Sequence, residues 1–272
     1  MAYRLILSDL DGTLLNSSSE VTPEVKRSVE QVQELGIHFA LCSGRSYKSL
    51  AFFEKKLGLD TPGQYGIAYN GGVVYETDSR KLLLRSMLNR DLALEIADVL
   101  RKEGASILAY LDDKLFVEKV DENTMAYSQA AMMPLNVLKN FSEIKDDFSK
   151  ILIRGEPEAL ESLEKTLAPL VYGRANYFLS SDTLLEFCSL DAHKGNGLEF
   201  LRKHLGISKE ETIAIGDHRN DLSMLKMAGL GVAVKNAVDE AKEAADVVLD
   251  ATNDENSLGR VLDLYIREPK QI

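Results

Sequence analysis

The sequence predicts an α/β protein with a Rossmann-like parallel-sheet core and an α+β segment inserted into it. Three observations carry that expectation. Short apolar runs alternate with helical patterns at both ends of the chain. The middle reads instead as antiparallel hairpins with helices between them. Acidic, hydroxyl and amide residues follow the apolar runs of the two ends. Strand–helix–strand alternation belongs to a parallel sheet with helices packed on it.

Taken in order, "RLIL" reads as a buried strand and "TPEVKRSVEQVQELG" as a helix with Thr22 as N-cap, Pro23 at its first position and Gly36 beyond its end. A capping hydroxyl, a proline with no N–H to lose and a terminal glycine are the expected punctuation. "IHFALC" is a second strand, "SYKSLAFFEKKLG" a second helix and "YGIAY" a third strand; "GGVVYE" and "KLLLRS" flank a polar turn as a hairpin. From about residue 85, "ILAYLDDKLFVEK" and "ANYFLSSDTLLEFC" read as hairpins, with helices such as "RDLALEIADVLRKEG" and "EPEALESLEKTLAPL" between them. The first rhythm then returns: "KGNGLEFLRKHLG" helical, "TIAIG" a strand, "RNDLSMLKMAG" a helix, and "GVAV", "AVDEAKEAA", "VVLD" and "SLGRVLDLYI" continuing the alternation. The economical division is a core from residues 1–84 and 189–272, with 85–188 inserted.

The totals fit this division. A chain of 272 residues suits one large or two modest domains. Lys and Arg total 32 against 43 Asp and Glu, a net charge of -11. Such a surface repels nucleic acid and anionic membrane, while leaving room for a local basic pocket for a small anion. No apolar run approaches the roughly 20 residues that span a bilayer, and the first apolar stretch is too short for a secretory signal. The expected location is the cytoplasm. Cys42 and Cys188 sit in apolar runs, where reduced thiols are expected rather than a disulfide.

In an open parallel sheet, ligands bind beyond the carboxyl ends of the strands. After the first strand comes Asp9-Leu10-Asp11-Gly12-Thr13, after the second Ser43-Gly44-Arg45, and after "TIAIG" comes Asp217-His218-Arg219-Asn220-Asp221. Lys194 and Gly195 open the helix before that strand. Each group alone reads as turn or capping chemistry. Capping accounts neither for the acid pair nor for acids recurring at separate strand ends. Clustered carboxylates require a positive partner, and Mg²⁺, which is hard and shares its shell with phosphates, is the natural one. One carboxylate of the pair can attack phosphorus to form an aspartyl-phosphate, and the other can protonate the leaving oxygen and then activate water. Ser43, Asn220, Lys194 and backbone N–H groups would hold the phosphoryl oxygens.

At these residues the sequence resembles the haloacid-dehalogenase superfamily, and within it the Cof-like phosphatases with a large α/β cap. "DLDGTLL", "CSGR", "HKGNGL" and "GDHRND" resemble the family's four motifs in order, and "AYNGG" and "LLEF" its segments flanking the cap. The resemblance implies Asp9 as nucleophile and Asp11 as general acid and base. It implies Mg²⁺ on Asp9, Asp217 and the main-chain oxygen of Asp11, and phosphate on Ser43, Gly44, Lys194, Asn220 and the backbone of Leu10. Asp221 would orient Lys194 or a metal-bound water. The expected activity is hydrolysis of small phosphorylated metabolites, sugar phosphates foremost. The alternatives are a phosphomutase, a phospho-aspartate signalling domain and a member that only binds ligand. Three details depart from the pattern: Ser43 stands where Thr is commoner, "LDAHKG" lacks a proline before the lysine, and His218 stands where a residue such as Asn is commoner.

Other signals are discounted. "GLG" at 229–231 precedes a strand and lacks a third glycine. "DLDGTLLN" fails as a calcium loop because Gly12 comes two positions early. His38, His193, His204 and His218 lack zinc spacing. Asp112 and Asp113 are expected in a hairpin turn, and Met132 and Met133 in packing.

Overall fold

The computed structural model describes residues 2–267. Strand β1 (Leu5–Ser8) is buried at all four positions, because parallel neighbours flank it on both sides, and such strands are apolar throughout rather than alternating. Helix α1 (Pro23–Glu34) starts where its caps require. The Thr22 hydroxyl accepts the N–H of Val25, and Val25, Val29 and Val32 form the buried stripe. Strand β2 (His38–Cys42) lies parallel to β1, helix α2 (Tyr47–Leu57) returns the chain, and β3 (Tyr65–Ala68) lies parallel to β2. Strands β4 (Val73–Glu76) and β5 (Leu82–Arg85) extend the sheet as an antiparallel hairpin.

The chain then builds a second sheet. Its elements are α3 (Arg90–Lys102), β6 (Ile107–Leu111), β7 (Lys114–Val117), α4 (Glu122–Ala131), β8 (Leu135–Val137), β9 (Lys150–Arg154), α5 (Pro157–Val171), β10 (Ala175–Ser181) and β11 (Leu184–Ser189). The strand order is β10-β11-β9-β6-β7-β8. The two expected hairpins are β6–β7 and β10–β11, both antiparallel. Alternation along the strands sorts the two faces. Ile107, Ala109, Ile151, Ile153, Leu185 and Phe187 pack beneath α3 and α5. Leu108, Tyr110 and Leu152 point the other way and join the apolar cluster of the first sheet.

The last third returns to the first sheet with α6 (Lys194–His204), β12 (Thr212–Gly216), α7 (Leu222–Met227), β13 (Leu230–Ala233), α8 (Asp239–Ala244), β14 (Val247–Val248) and α9 (Ser257–Val261). The completed order is β14-β13-β12-β1-β2-β3-β4-β5. Strands β14 to β3 run parallel, so the carboxyl ends of β1, β2 and β12 share one edge. The start of α6 is held against the turn after β3 by glycines: a Cβ on Gly71, whose φ is +93°, would lie 2.2 Å from the His193 carbonyl oxygen, and one on Gly197 would lie 2.6 Å from Ile67. Only glycine permits that approach.

Three expectations are corrected. "RNDLSMLKMAG" begins with a 3₁₀ turn over Arg219–Asp221, and the α-helix itself starts at Leu222. "SLGRVLDLYI" divides into α9 and a π-helical turn over Leu262–Arg267. Met133 is buried, but Met132 is 47% exposed and ends α4 in a left-handed conformation. Asp112 and Asp113 do form the β6–β7 turn, and both cysteines are buried and free. Among the described residues, no helix is long and apolar enough to cross a membrane.

Candidate active site

The three strand ends named in the sequence meet beneath the second sheet, around a cavity of about 500 Å³ lined from both sides. Asp9 follows β1, and its carboxylate is 2.5 Å from the Lys194 ammonium, which is equally close to Asp221. Lys194 and Asp221 are completely buried. The other Asp221 oxygen accepts the N–H groups of Asp217 and His218 at 2.8 and 2.9 Å. Asp221 therefore ties the loop after β12 to the lysine at the start of α6. Asp217 in turn accepts the Thr13 hydroxyl at 2.6 Å. Gly12, with φ +78°, allows this turn to fold, since a Cβ there would stand 2.5 Å from an Asp217 oxygen.

Asp9, Asp217 and Asp221 each offer an oxygen within 4.8 Å of the others, all three being buried. One ammonium faces three carboxylates, and the charge imbalance appears in the titration of Asp9 and Asp217. Burial first, and then the neighbouring acids, push Asp9 well above the ordinary carboxylate range despite Lys194. Burial and Asp221 push Asp217 up to about 7. Burial works against the Lys194 charge, but Asp221 and Asp9 outweigh it and raise its pKa. The donor set, all hard oxygen with excess negative charge, has the chemistry a small divalent cation requires.

Asp11 turns differently. Both of its oxygens are taken by Arg45 at 2.7 Å, and Arg45 also donates to the Ala130 carbonyl and lies over the Phe53 ring. Ser43 and Gly44 line the cavity, as does Asn220. The Leu10 side chain is buried in the core, leaving only its backbone for a ligand.

Sequence reasoning left several neighbours without a role. Asn70 lies in a turn where Tyr69, Asn70 and Gly71 all have positive φ, a conformation rare for tyrosine and one that surrounding contacts must hold. Asn70 accepts from Asn220 and donates to Glu186, both at 3.0 Å. Glu186 on β11 pairs with Lys150 on β9 at 2.8 Å, and Lys150 donates to the Gly44 carbonyl at 2.8 Å. Lys150 and Glu186 are 1% and 3% exposed. The signal available in the sequence was a charge in each of two apolar runs, Lys150 in "KILIR" and Glu186 in "LLEFC", which in a buried strand requires a partner.

A parallel-sheet core with a buried acid–lysine centre at its carboxyl edge, covered by a second sheet inserted in the chain, defines a capped α/β enzyme. The chain belongs to the haloacid dehalogenase-like hydrolase family, whose sequence model matches residues 6–262, and within it to the Cof type. It is 30% identical to phosphatase YwpJ of Bacillus subtilis, over 95% of this chain and 98% of that protein. It is 29% identical to the 5-amino-6-(5-phospho-D-ribitylamino)uracil phosphatase YwtE of the same organism, over 96% and 97%. The crystal structure of a haloacid dehalogenase-like hydrolase from Bacteroides thetaiotaomicron superposes with a TM-score of 0.86 at 32% identity, covering 96% of this chain and 98% of the other. That of TM0651 from Thermotoga maritima gives 0.83 at 33% identity, covering 99% and 98%.

Proposed function

We propose that this hydrolase is a Mg²⁺-dependent phosphoric monoester hydrolase that acts on small phosphorylated metabolites, with sugar phosphates the favoured class, through an aspartyl-phosphate on Asp9. The observation that carries the reading is the buried Asp9–Lys194–Asp221 contact beside Asp217, opening on one cavity between the two sheets. Residues 1–84 and 189–272 act as the catalytic core, and 85–188 as a cap.

Asp9, Asp217 and the main-chain oxygen of Asp11 would hold Mg²⁺, which offsets the charge of carboxylates and phosphate when bound. The chain's own groups do the rest. Lys194, held between Asp9 and Asp221, keeps its proton and supplies fixed positive charge to the phosphoryl oxygens. Ser43, the Gly44 backbone, the Leu10 backbone and Asn220 orient the other oxygens. An Asp9 oxygen attacks phosphorus and the ester oxygen departs, taking a proton from Asp11. Asp11, now a carboxylate, removes a proton from water as that water attacks the aspartyl-phosphate. Inorganic phosphate leaves, and Asp9 and protonated Asp11 are restored. The Arg45 fork occupies both Asp11 oxygens, so this proton role requires the fork to part when substrate enters.

The test is phosphate release across a panel of phosphomonoesters, with Mg²⁺ and with chelator. Mg²⁺-dependent release with a ranking among sugar phosphates supports the reading. No release from any ester removes it, and movement of phosphate within a sugar without release replaces it with a phosphomutase.

A further inference from the structure

Three cationic side chains of the Lys and Arg type line the cavity, and two are spent inside the protein: Arg45 on Asp11 and Lys150 on Glu186. The third, Arg154, pairs with no carboxylate among the described residues. It ends β9, partly buried, and shares the inward face of that strand with Leu152 and Lys150, two and four positions back. Opposite it, in register, is Leu184 at the start of β11. The turn joining β10 to β11 brings the Ser181 and Thr183 hydroxyls to the same end of the cavity. Those two hydroxyls lie 3.4 Å apart. The acids nearby are accounted for: Glu186 is satisfied by Lys150, Ser180 and Asn70, and Asp182 on the turn is exposed and outside ion-pair reach of Arg154.

A guanidinium drawn partly out of water toward a cavity, with hydroxyls beside it and no counter-charge, lacks an anion. The reacting phosphate does not supply it. Lys150 marks the phosphate end through its bond to the Gly44 carbonyl, and four residues of extended strand separate the Cα atoms of Lys150 and Arg154 by about 13 Å. We propose that Arg154, with Ser181 and Thr183, binds a second anionic group of the substrate, remote from the phosphate that is cleaved. The substrate class is then a phosphomonoester of a polyol or sugar whose far end carries a carboxylate or a second phosphate. The proposal rests on the phosphatase reading and narrows it. Arg154 is a specificity residue in it, not a catalytic one, because it touches no reacting atom.

The experiment measures kcat and KM of the wild-type protein and of Arg154→Met, with Mg²⁺, on p-nitrophenyl phosphate, glucose 6-phosphate, glucose 1,6-bisphosphate and 6-phosphogluconate. The first compound tests the phosphatase reading alone. The other three share a skeleton and differ in the far group. The wild type should favour the bisphosphate or the aldonate over glucose 6-phosphate by roughly tenfold or more in kcat/KM, the scale of one charge-assisted contact. Arg154→Met should erase that ratio, chiefly through KM, and Arg154→Lys should restore part of it. Which of the two compounds with a second anionic group leads tells a carboxylate from a phosphate. A wild-type ratio near one, or a ratio that survives Arg154→Met, overturns the proposal while p-nitrophenyl phosphate turnover leaves the phosphatase reading standing. No turnover of p-nitrophenyl phosphate or of the sugars removes both.

Discussion

Asp9 lies among like charges, with one ammonium within 2.5 Å and Asp217 and Asp221 close by. Asp9→Asn removes the proposed nucleophile and one negative charge together, while Lys194 keeps its Asp221 partner. Phosphate release should fall by at least about a thousandfold, and the thermal midpoint should stay level or rise because repulsion is relieved. A folded Asp9→Asn protein with undiminished release would remove Asp9 from the mechanism. Asp217 makes a separate prediction about pH. Its carboxyl is held up to about 7 against 3.8 in a free chain, by burial and then by Asp221. Between those values the native state binds more protons than the unfolded state, so this group's contribution to stability declines as pH rises through that window. A cation on the site competes with that proton. The rise in thermal midpoint on replacing chelator with Mg²⁺ should therefore be larger at pH 8 than at pH 6, and small in Asp217→Asn. A rise independent of pH, or preserved in Asp217→Asn, would place the cation elsewhere.

Strand β9 places Lys150 and Arg154 on its inward face and β11 places Glu186, and the Lys150–Glu186 pair ties the second sheet to the loops that carry Gly44 and Asn70. Lys150 reaches the Gly44 carbonyl, and Glu186 reaches Asn220 through Asn70. Burial opposes the Lys150 charge, and Glu186 outweighs it. Removing one member leaves the other buried and unpaired, so Lys150→Met should cost about 3–5 kcal/mol. Lys150→Met with Glu186→Gln should cost less than the two single changes summed, by about 1 kcal/mol or more. Denaturant unfolding of the four proteins checks this, and simple additivity would show that the pair is not coupled. The same pair marks the limit of what the sequence disclosed. α1 was readable because Thr22, Pro23, Gly36 and a valine stripe act within a dozen residues, and the acids were readable because each directly follows an apolar run. Asn70, Lys150 and Glu186 meet across sequence separations of 36 to 116 residues, and the Asp11–Arg45 fork spans 34, so no local pattern announces them. α4 was hidden because its buried positions are Thr124, Tyr127 and Ala131, a face too polar and small to stand out as an apolar stripe.

At the scale of the whole molecule, both sheets line the cavity. The first contributes Asp9, Asp11, Asp217 and Arg45 from its strand ends; the second contributes Tyr110, Lys150, Glu186, Arg154 and the hydroxyls of the β10–β11 hairpin. Chemistry at an exposed sheet edge would leave an aspartyl-phosphate open to bulk water and give little surface for recognising the rest of a substrate. A covering sheet answers both needs. Because Asn70 and Gly44 are the core's contacts with the Lys150–Glu186 pair, a foreign cap fits only if it supplies that pair. Replacing residues 85–188 with the cap of a family member of different preference, chosen to keep a lysine and a glutamate at these two positions, should change the ranking of substrates while leaving release dependent on Mg²⁺. Steady-state kinetics over one panel for both parents and the chimera reads this directly. A folded chimera that ranks substrates as this protein does would assign selection to the core, and one that loses its need for Mg²⁺ would mean that the cap helps build the metal site.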